Sequence, residues 1–305
     1  MTTHSQYEVR GQDYSRIILP LARQEKSMLY DKVYIKTDIV GKCFYQDQIG
    51  KWEMQPKTSV NADTPQNDPN LARTRIDIGT YNDARMFDRS LKLQEFSDPT
   101  SVAGVCVQSA VGTQIDKIIY DSLGGVAYRG ENGSKQVALP DTNIIKADFE
   151  KSGTNTGLTP AKIRRAAKIM NAQGVPNSDR TFVTSATGLE QMLGFTSVTS
   201  SDYNVVKALV NGEIDTWLGF KFVTLPDGII KATGNIADYF AFHKTGACFG
   251  MLDELFLRIE ERGDKSYSKQ VYYEISAGAG RLEEAKVILV KGDESVVTNN
   301  IMGDK

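Results

Sequence analysis

Asp98 and Pro99 stand immediately before a stretch in which apolar side chains recur at helical spacing, and Gly124 and Gly125 stand immediately after it. A carboxylate at the N-cap accepts the first unpaired backbone N–H groups, and proline at the first helical position gives up an N–H that has no partner there. Paired glycines then mark the stop. Between these signals Val107, Val111, Ile115 and Ile118, with Ile119 beside them, fall at spacings of three and four. That pattern predicts one helix of about 25 residues, roughly 37 Å long at the usual rise. A single element of that length forms the backbone of whatever fold contains it.

The flanking sequence reads as strands and loops. Lys32 to Phe44 favours extended structure, with Val33, Ile35 and Ile39 on alternate positions and Gly41 breaking the run. Gln55 to Leu71 holds Pro56, Pro65 and Pro69 among many Asn, Asp and Thr, and Arg73 to Ile78 resumes the strand alternation. Two extended segments around such an excursion predict a projecting loop. The first thirty or so residues have isolated apolar groups and no period, as in an arm that stays mobile or lies on a neighbour.

Beyond the helix, Val126 to Leu139 reads as a hairpin turning at Asn132-Gly133. Thr159-Pro160 repeats the cap-then-proline start of a helix whose face is Ile163, Ala166, Ala167 and Met170, closed by Gly174 and Pro176. A strand at Thr181 to Thr184, short helices at Ala186 to Leu193 and Asp202 to Val210, and strands at Leu218 to Thr224 and Tyr239 to Phe242 follow. Leu255, Leu257 and Ile259, and then Val271, Tyr273 and Ile275, show the alternation of half-buried strands. Lys286 to Lys291 adds a β-branched run, so the C-terminal part is expected to be antiparallel strands. The fold class is α+β.

Charge excludes one function class. Lys and Arg number 36 against 38 Asp and Glu, a formal net charge of -2, so there is no basic excess of the kind a dedicated nucleic-acid binder uses to displace counterions. The three cysteines, Cys43, Cys106 and Cys248, are far apart and form no C-x-x-C pair; they are expected to be reduced and semi-buried. No apolar stretch is long enough to cross a bilayer, and nothing near Met1 has a basic segment followed by a long apolar stretch.

Catalytic and metal-binding constellations are not found. His4 and His243 are the two histidines, neither with a second ligand at metal spacing, and His243 is read as structural. Gly278-Ala279-Gly280 partly matches a dinucleotide fingerprint, but Glu283 stands where its third glycine belongs, and a strand-to-strand turn is the reading adopted. Glu260-Glu261 and Glu283-Glu284 are adjacent, so on strands their carboxylates face opposite ways and cannot share a substrate. Phosphate-binding loop, nucleophile-elbow and HExxH motifs are missing. No catalytic residue, cofactor or metal is therefore expected, and the chain is read as not an enzyme.

Three ordered blocks carry a resemblance. They are the helix from Asp98-Pro99-Thr100 to Leu123-Gly124-Gly125; Ser200-Ser201-Asp202-Tyr203-Asn204 through Gly212-Glu213 to Leu218-Gly219-Phe220; and Arg258-Ile259-Glu260-Glu261-Arg262 with Asp264-Lys265-Ser266-Tyr267, Gln270-Val271-Tyr272 and Arg281-Leu282-Glu283-Glu284. Together they resemble, across residues 35 to 292, the major capsid proteins of tailed phages with the Hong Kong 97 fold. The resemblance implies an N-terminal arm (1–38), an extended E-loop (39–88), a P-domain (89–158) with a spine helix at 98–123, an A-domain (159–249), and P-domain return strands with a C-terminal tail (250–305).

It further implies a homo-oligomer of hexamers and pentamers closing an icosahedral head around double-stranded DNA. The chain would be located in the virion after assembly in the host cytoplasm. Partners implied are a portal, a decoration protein, loose non-specific contact with packaged DNA, and no membrane. Some family members begin with a cleaved scaffolding segment; here no room precedes the first strand, so a separate scaffolding protein is expected. The Lys–Asn crosslink of one branch is not expected, since Lys57, Asn61 and Asn67 are loop residues of merely the right type. Candidate subunit contacts are Arg73, Arg75, Arg258, Glu260 and Arg262. An encapsulin-like bacterial compartment, which shares the fold, is the alternative shell, and an oxidoreductase or hydrolase whose residues the sequence does not reveal is the alternative of a different class.

Overall fold

The helix expected between Asp98 and Gly125 is present as α1, Thr100–Gly124, 25 residues long. The structure is a computed structural model that describes residues 24, 26–57, 59–60, 68–87, 100–194, 216–252 and 255–296. Asp98 and Pro99, the helix expected at Asp202 to Val210, and Asn61 and Asn67 lie outside them. Val107, Ile115, Ile119, Tyr120 and Leu123 of α1 are buried, while Val111 and Ile118, assigned to the same face by the periodicity, are half-buried against that core. Gly125 N–H donates to the Asp121 carbonyl at 3.0 Å and ends the helix where the glycine pair stands.

The strands in chain order are β1 (Tyr34–Lys36), β2 (Cys43–Ile49), β3 (Leu71–Asp77), β4 (Gly79–Phe87), β5 (Ala127–Arg129), β6 (Lys135–Val137), β7 (Ile144–Ile145), β8 (Arg180–Thr184), β9 (Thr216–Trp217), β10 (Phe220–Thr224), β11 (Ala232–Thr233), β12 (Ile236–His243), β13 (Ala247–Met251), β14 (Phe256–Arg262), β15 (Ser268–Arg281) and β16 (Val287–Asp293). Two further helices are α2 (Pro160–Ala172) and α3 (Ala186–Gly194). Thr159 caps α2 as its sequence demands, its hydroxyl accepting from Lys162 N–H, with Pro160 at the first position.

A seven-stranded sheet runs β7-β16-β12-β8-β10-β9, with β11 on β12. Both of its faces are covered. Phe240, Phe242, Val183, Val287 and Leu289 join Ile115, Ile119 and Leu123 of α1 in one core. The alternate residues Tyr239, Ala241, Phe182, Ile288 and Val290 join Ile163, Ala166 and Met170 of α2 in another. A strand buried on both sides reads as a continuous apolar run, which is why 287–290 lacks alternation. β16 thus pairs with β12 rather than with the other C-terminal strands.

A second sheet is organised on β15. β4 pairs along one side of it, while β13 and β14 follow each other on the other side and β1 pairs with β13. The third sheet is β2-β3-β5-β6.

Four local expectations change. Gly278-Ala279-Gly280 lies inside β15 and is no turn. The glycines are needed because a Cβ at 278 would lie 2.2 Å from the Asp77 carbonyl oxygen and one at 280 would lie 2.6 Å from Ile76, where β3 crosses the strand. β14 is not half-buried: every position is exposed. The 126–139 hairpin turns through Gly130 and Gly133, both at positive φ, rather than through a two-residue Asn-Gly turn. The strand expected from Leu218 starts at Phe220, because Leu218 and Gly219 both take positive φ in a tight turn between β9 and β10.

The end of the segment read as an arm is also packed on its own subunit. Leu29 and Val33 are fully buried in the α1 core. The cysteines are not uniformly semi-buried: Cys106 is exposed, Cys43 intermediate and Cys248 buried, and all three are free.

Candidate assembly surfaces

The five charged candidates fall into two groups on two sheets. Arg73 and Arg75 project from one face of β3, since residues two apart on a strand point the same way. The opposite face, with Thr74 and Ile76, is buried. Register places Arg73 opposite Asp47 of β2. The guanidinium forks onto that carboxylate at 2.6 and 3.0 Å and lies 5.7 Å from the Tyr45 ring centre. Those hydrogen bonds hold the Asp47 carboxyl below its usual range. Arg75 pairs with Asp77 at 2.8 Å.

Arg258, Glu260 and Arg262 share one face of β14. Arg258 pairs with Glu260. Arg262 forks onto Asp264 at 2.8 and 2.7 Å and donates to Gln270 Oε1 at 3.0 Å. Hydrogen bonds from Arg262 pull the Asp264 carboxyl down to about 2. With Phe256, Gln270 and Tyr272 these residues line a shallow groove on the ribbon of β14, β15 and β4. Every candidate is thus paired within its own chain, in solvent-exposed ion pairs of the kind that add little to a fold. They are surface features available to a neighbour, not props of the subunit.

The sequence reading missed the apolar part of the same surfaces. Ile49, Trp52, Met54, Val60 and Leu71, on or beside the excursion between β2 and β3, are 66% to 100% exposed. The base of that excursion is closed by Gly50 N–H donating to Asn70 O at 2.7 Å, and Lys51 Nζ reaches the Gln173 carbonyl past the end of α2 at 3.1 Å. On β14, Phe256, Leu257 and Ile259 are also exposed. An available signal was the alternation of Lys51, Glu53, Gln55 and Lys57 with Trp52, Met54 and Pro56, a two-faced pattern with no turn to fold it back.

Buried charges serve the fold. Lys162 Nζ donates to the carbonyls of Thr156, Gly157 and Lys291 at 2.7, 2.8 and 3.0 Å. Arg180 donates to Pro176 O, Val175 O and Asn171 Oδ1. His243 Nδ1 accepts from Thr245 N–H at 3.2 Å, and burial lowers its pKa. Among the described residues no group of three or more His, Cys, Asp or Glu side chains is placed to hold a metal ion, and no helix is long and apolar enough to cross a membrane.

A family model described as phage capsid protein matches residues 9–294. The chain belongs to the phage capsid protein family. Solved structures similar to this capsid protein include the capsid of Ralstonia phage GP4, with a TM-score of 0.70 at 12% identity, covering 93% of this chain and 95% of that one. The capsid of Cyanophage P-SCSP1u matches at 0.68 and 15%, covering 92% and 91%. Mycobacterium phage Che8 matches at 0.65 and 14%, covering 92% and 96%. At such identities the likeness is one of fold, an α+β fold related to the Hong Kong 97-like capsids. No curated protein sequence matches the capsid chain.

Proposed function

We propose that this capsid protein is a non-catalytic shell subunit that assembles as hexamers and pentamers into the icosahedral head enclosing the double-stranded DNA of a tailed phage. The observation that carries the proposal is the contrast between a closed interior and two surfaces left apolar: α1 and α2 bury both faces of the seven-stranded sheet, while Trp52, Met54, Leu257 and Ile259 stand in solvent. A monomer gains nothing from that arrangement, whereas a repeated subunit covers such patches with copies of itself. The division into arm, E-loop, P-domain and A-domain belongs to the same proposal, with residues 39–88, which hold β2, β3, their excursion and β4, as the E-loop and α1 as the spine helix.

The formal net charge of -2 suits an inner wall that touches DNA without gripping it. The paired charges of β3 and β14 are the proposed seams, where ion pairs can exchange partners between subunits at small net cost. A separate scaffolding protein, a portal and a decoration protein are the expected partners, and the virion is the expected location.

Negative-stain microscopy of the purified chain, alone and with a scaffolding protein encoded beside it, tests the proposal. Closed particles of uniform size are expected. A discrete small oligomer under both conditions would overturn it.

A further inference from the structure

Gln24 and residues 26–29 cross a seat on α1 built for backbone. Val105, Ser109, Gly112 and Asp116 stand at i, i+4, i+7 and i+11, so they form one strip of the helix, distinct from the strip of Val107, Val111 and Ile115. Ser109 Oγ donates to the Gln24 carbonyl. Asp116 is fully buried, and its carboxylate accepts from Ser27 Oγ at 2.6 Å, from Leu29 N–H at 2.9 Å, from Met28 N–H at 3.1 and 3.0 Å to its two oxygens, and from the Gln24 side-chain amide. Ser27 Oγ in turn accepts from Tyr30 N–H at 3.1 Å and starts the turn that follows.

Gly112 lies between these anchors. A Cβ there would sit 2.7 Å from Ser27 N and 2.8 Å from the Lys26 carbonyl carbon. Glycine inside a helix costs about 1 kcal/mol relative to alanine, and here the room it leaves is filled by residues 26 and 27 of the crossing segment. Past residue 29 the chain is held differently: Leu29 and Val33 are buried in the core, and Tyr30 meets the Phe249 ring edge-on at 5.7 Å. Two attachments are thus in series, an apolar one that belongs to the core and a polar one upstream of it on the helix surface.

We infer that Asp116, with Gly112 beside it, is a positioning residue for assembly: by fixing the backbone of residues 26–29 on α1 it sets the surface that this side of the subunit offers to a neighbouring copy. The inference rests on the shell reading. It separates the seat's role from that of the core, because the core attachment at Leu29 and Val33 survives when the seat is lost.

Two substitutions in the full chain test it. Asp116→Asn keeps the size and one acceptor oxygen but turns an N–H group toward the backbone N–H of Met28. Gly112→Ala favours the helix itself while its methyl pushes the crossing backbone off. Trypsin cleavage after Lys26, thermal unfolding of the body, and the yield of closed particles are measured for each. Both variants are expected to unfold cooperatively near the wild-type temperature, to be cleaved about tenfold faster, and to lose about tenfold in closed particles. Faster cleavage with a wild-type particle yield would overturn the inference, as would lost particles with unchanged cleavage. Loss of cooperative unfolding in both variants would also overturn it, by making the seat part of the fold. If the unsubstituted chain forms no closed particles, the shell reading fails, while the cleavage comparison still reports whether the seat holds the segment.

Discussion

Arg281 Nη1 lies 2.9 Å from the carbonyl oxygen of Leu123, so the last turn of α1 is closed by a donor from β15. The same nitrogen donates to Gly125 O at 2.7 Å, and Nη2 donates to Val137 O at 2.9 Å. The final carbonyls of a helix have no intrahelical partner and carry partial negative charge, and a buried guanidinium answers both needs. Glu284, ion-paired to Arg129 at 2.7 Å, stands alongside.

Replacing Arg281 by Met would take this guanidinium from the buried carbonyl of Leu123 and the half-buried carbonyls of Gly125 and Val137. Arg281→Met is expected to lower stability by about 3 kcal/mol in a denaturant titration, the usual scale for breaking a buried charged network from one side. A change under about 0.5 kcal/mol, the range of an indifferent surface site, would show that Arg281 does not hold the helix end.

Lys162 gives the subunit a pH dependence of definite sign. Burial pulls its ammonium down to about 8, against opposing attraction from Glu150, Asp293 and Asp148. In the unfolded chain a lysine titrates near 10.4. Between about pH 8 and 10.4 the unfolded state therefore holds the extra proton, and this lysine's contribution to stability rises with pH across that window. Below it the cost of burying the charge is fully present. Cys248, whose thiol burial pushes up to about 12, acts in the opposite direction above its ordinary pKa but is common to wild type and variant. The stability of wild type minus that of Lys162→Met is thus expected to increase by about 3 kcal/mol from pH 7 to pH 10.5. A flat difference would place the lysine's pKa at its ordinary value.

The elements that were legible in the sequence are those whose evidence is local. Gly124-Gly125 closes α1 and Thr159-Pro160 opens α2, because caps, prolines and stop glycines act on their own turn. β14 was misread because Leu257 and Ile259 alternate as a half-buried strand does, and only the sheet shows that among the described residues no layer covers them. Gly278 and Gly280 looked like a turn because their requirement is set by Asp77 and Ile76, some two hundred residues upstream. Among the candidate contacts, residue type was readable but pairing was not: Arg73 meets Asp47 only through the β2–β3 register. The burial of Leu29 was not legible because it stands outside the alternation of Val33, Ile35 and Ile39 and makes no period of its own.

Charge reversal on β14 should separate folding from assembly. Arg262 has 44% of its side-chain surface exposed and Asp264 has 55%, so solvent screens their pair and it adds little to the subunit. Arg262→Glu is expected to leave the unfolding transition nearly unmoved while reducing closed particles by about tenfold, with partial recovery when Asp264→Lys is added. Normal particle yield from Arg262→Glu would remove β14 from the list of seams.

Trp52 offers a direct readout of what covers the projecting loop. The chain has two tryptophans, and they report on opposite environments: Trp52 is 78% exposed and Trp217 is 8% exposed. An indole that contacts no core costs the monomer little to remove, but once covered in an interface it belongs to the class of side chains whose truncation costs about 2 kcal/mol. Acrylamide quenching of the unassembled chain should therefore be dominated by Trp52, and closing the shell should cut that quenching severalfold and shift emission to the blue. Trp52→Phe removes the change if Trp52 is its source. Trp52→Ser should fold with an unaltered transition yet assemble poorly. Equal quenching before and after closure would mean that the loop stays in solvent, and the apolar excursion would then have to face something other than a second copy of this chain.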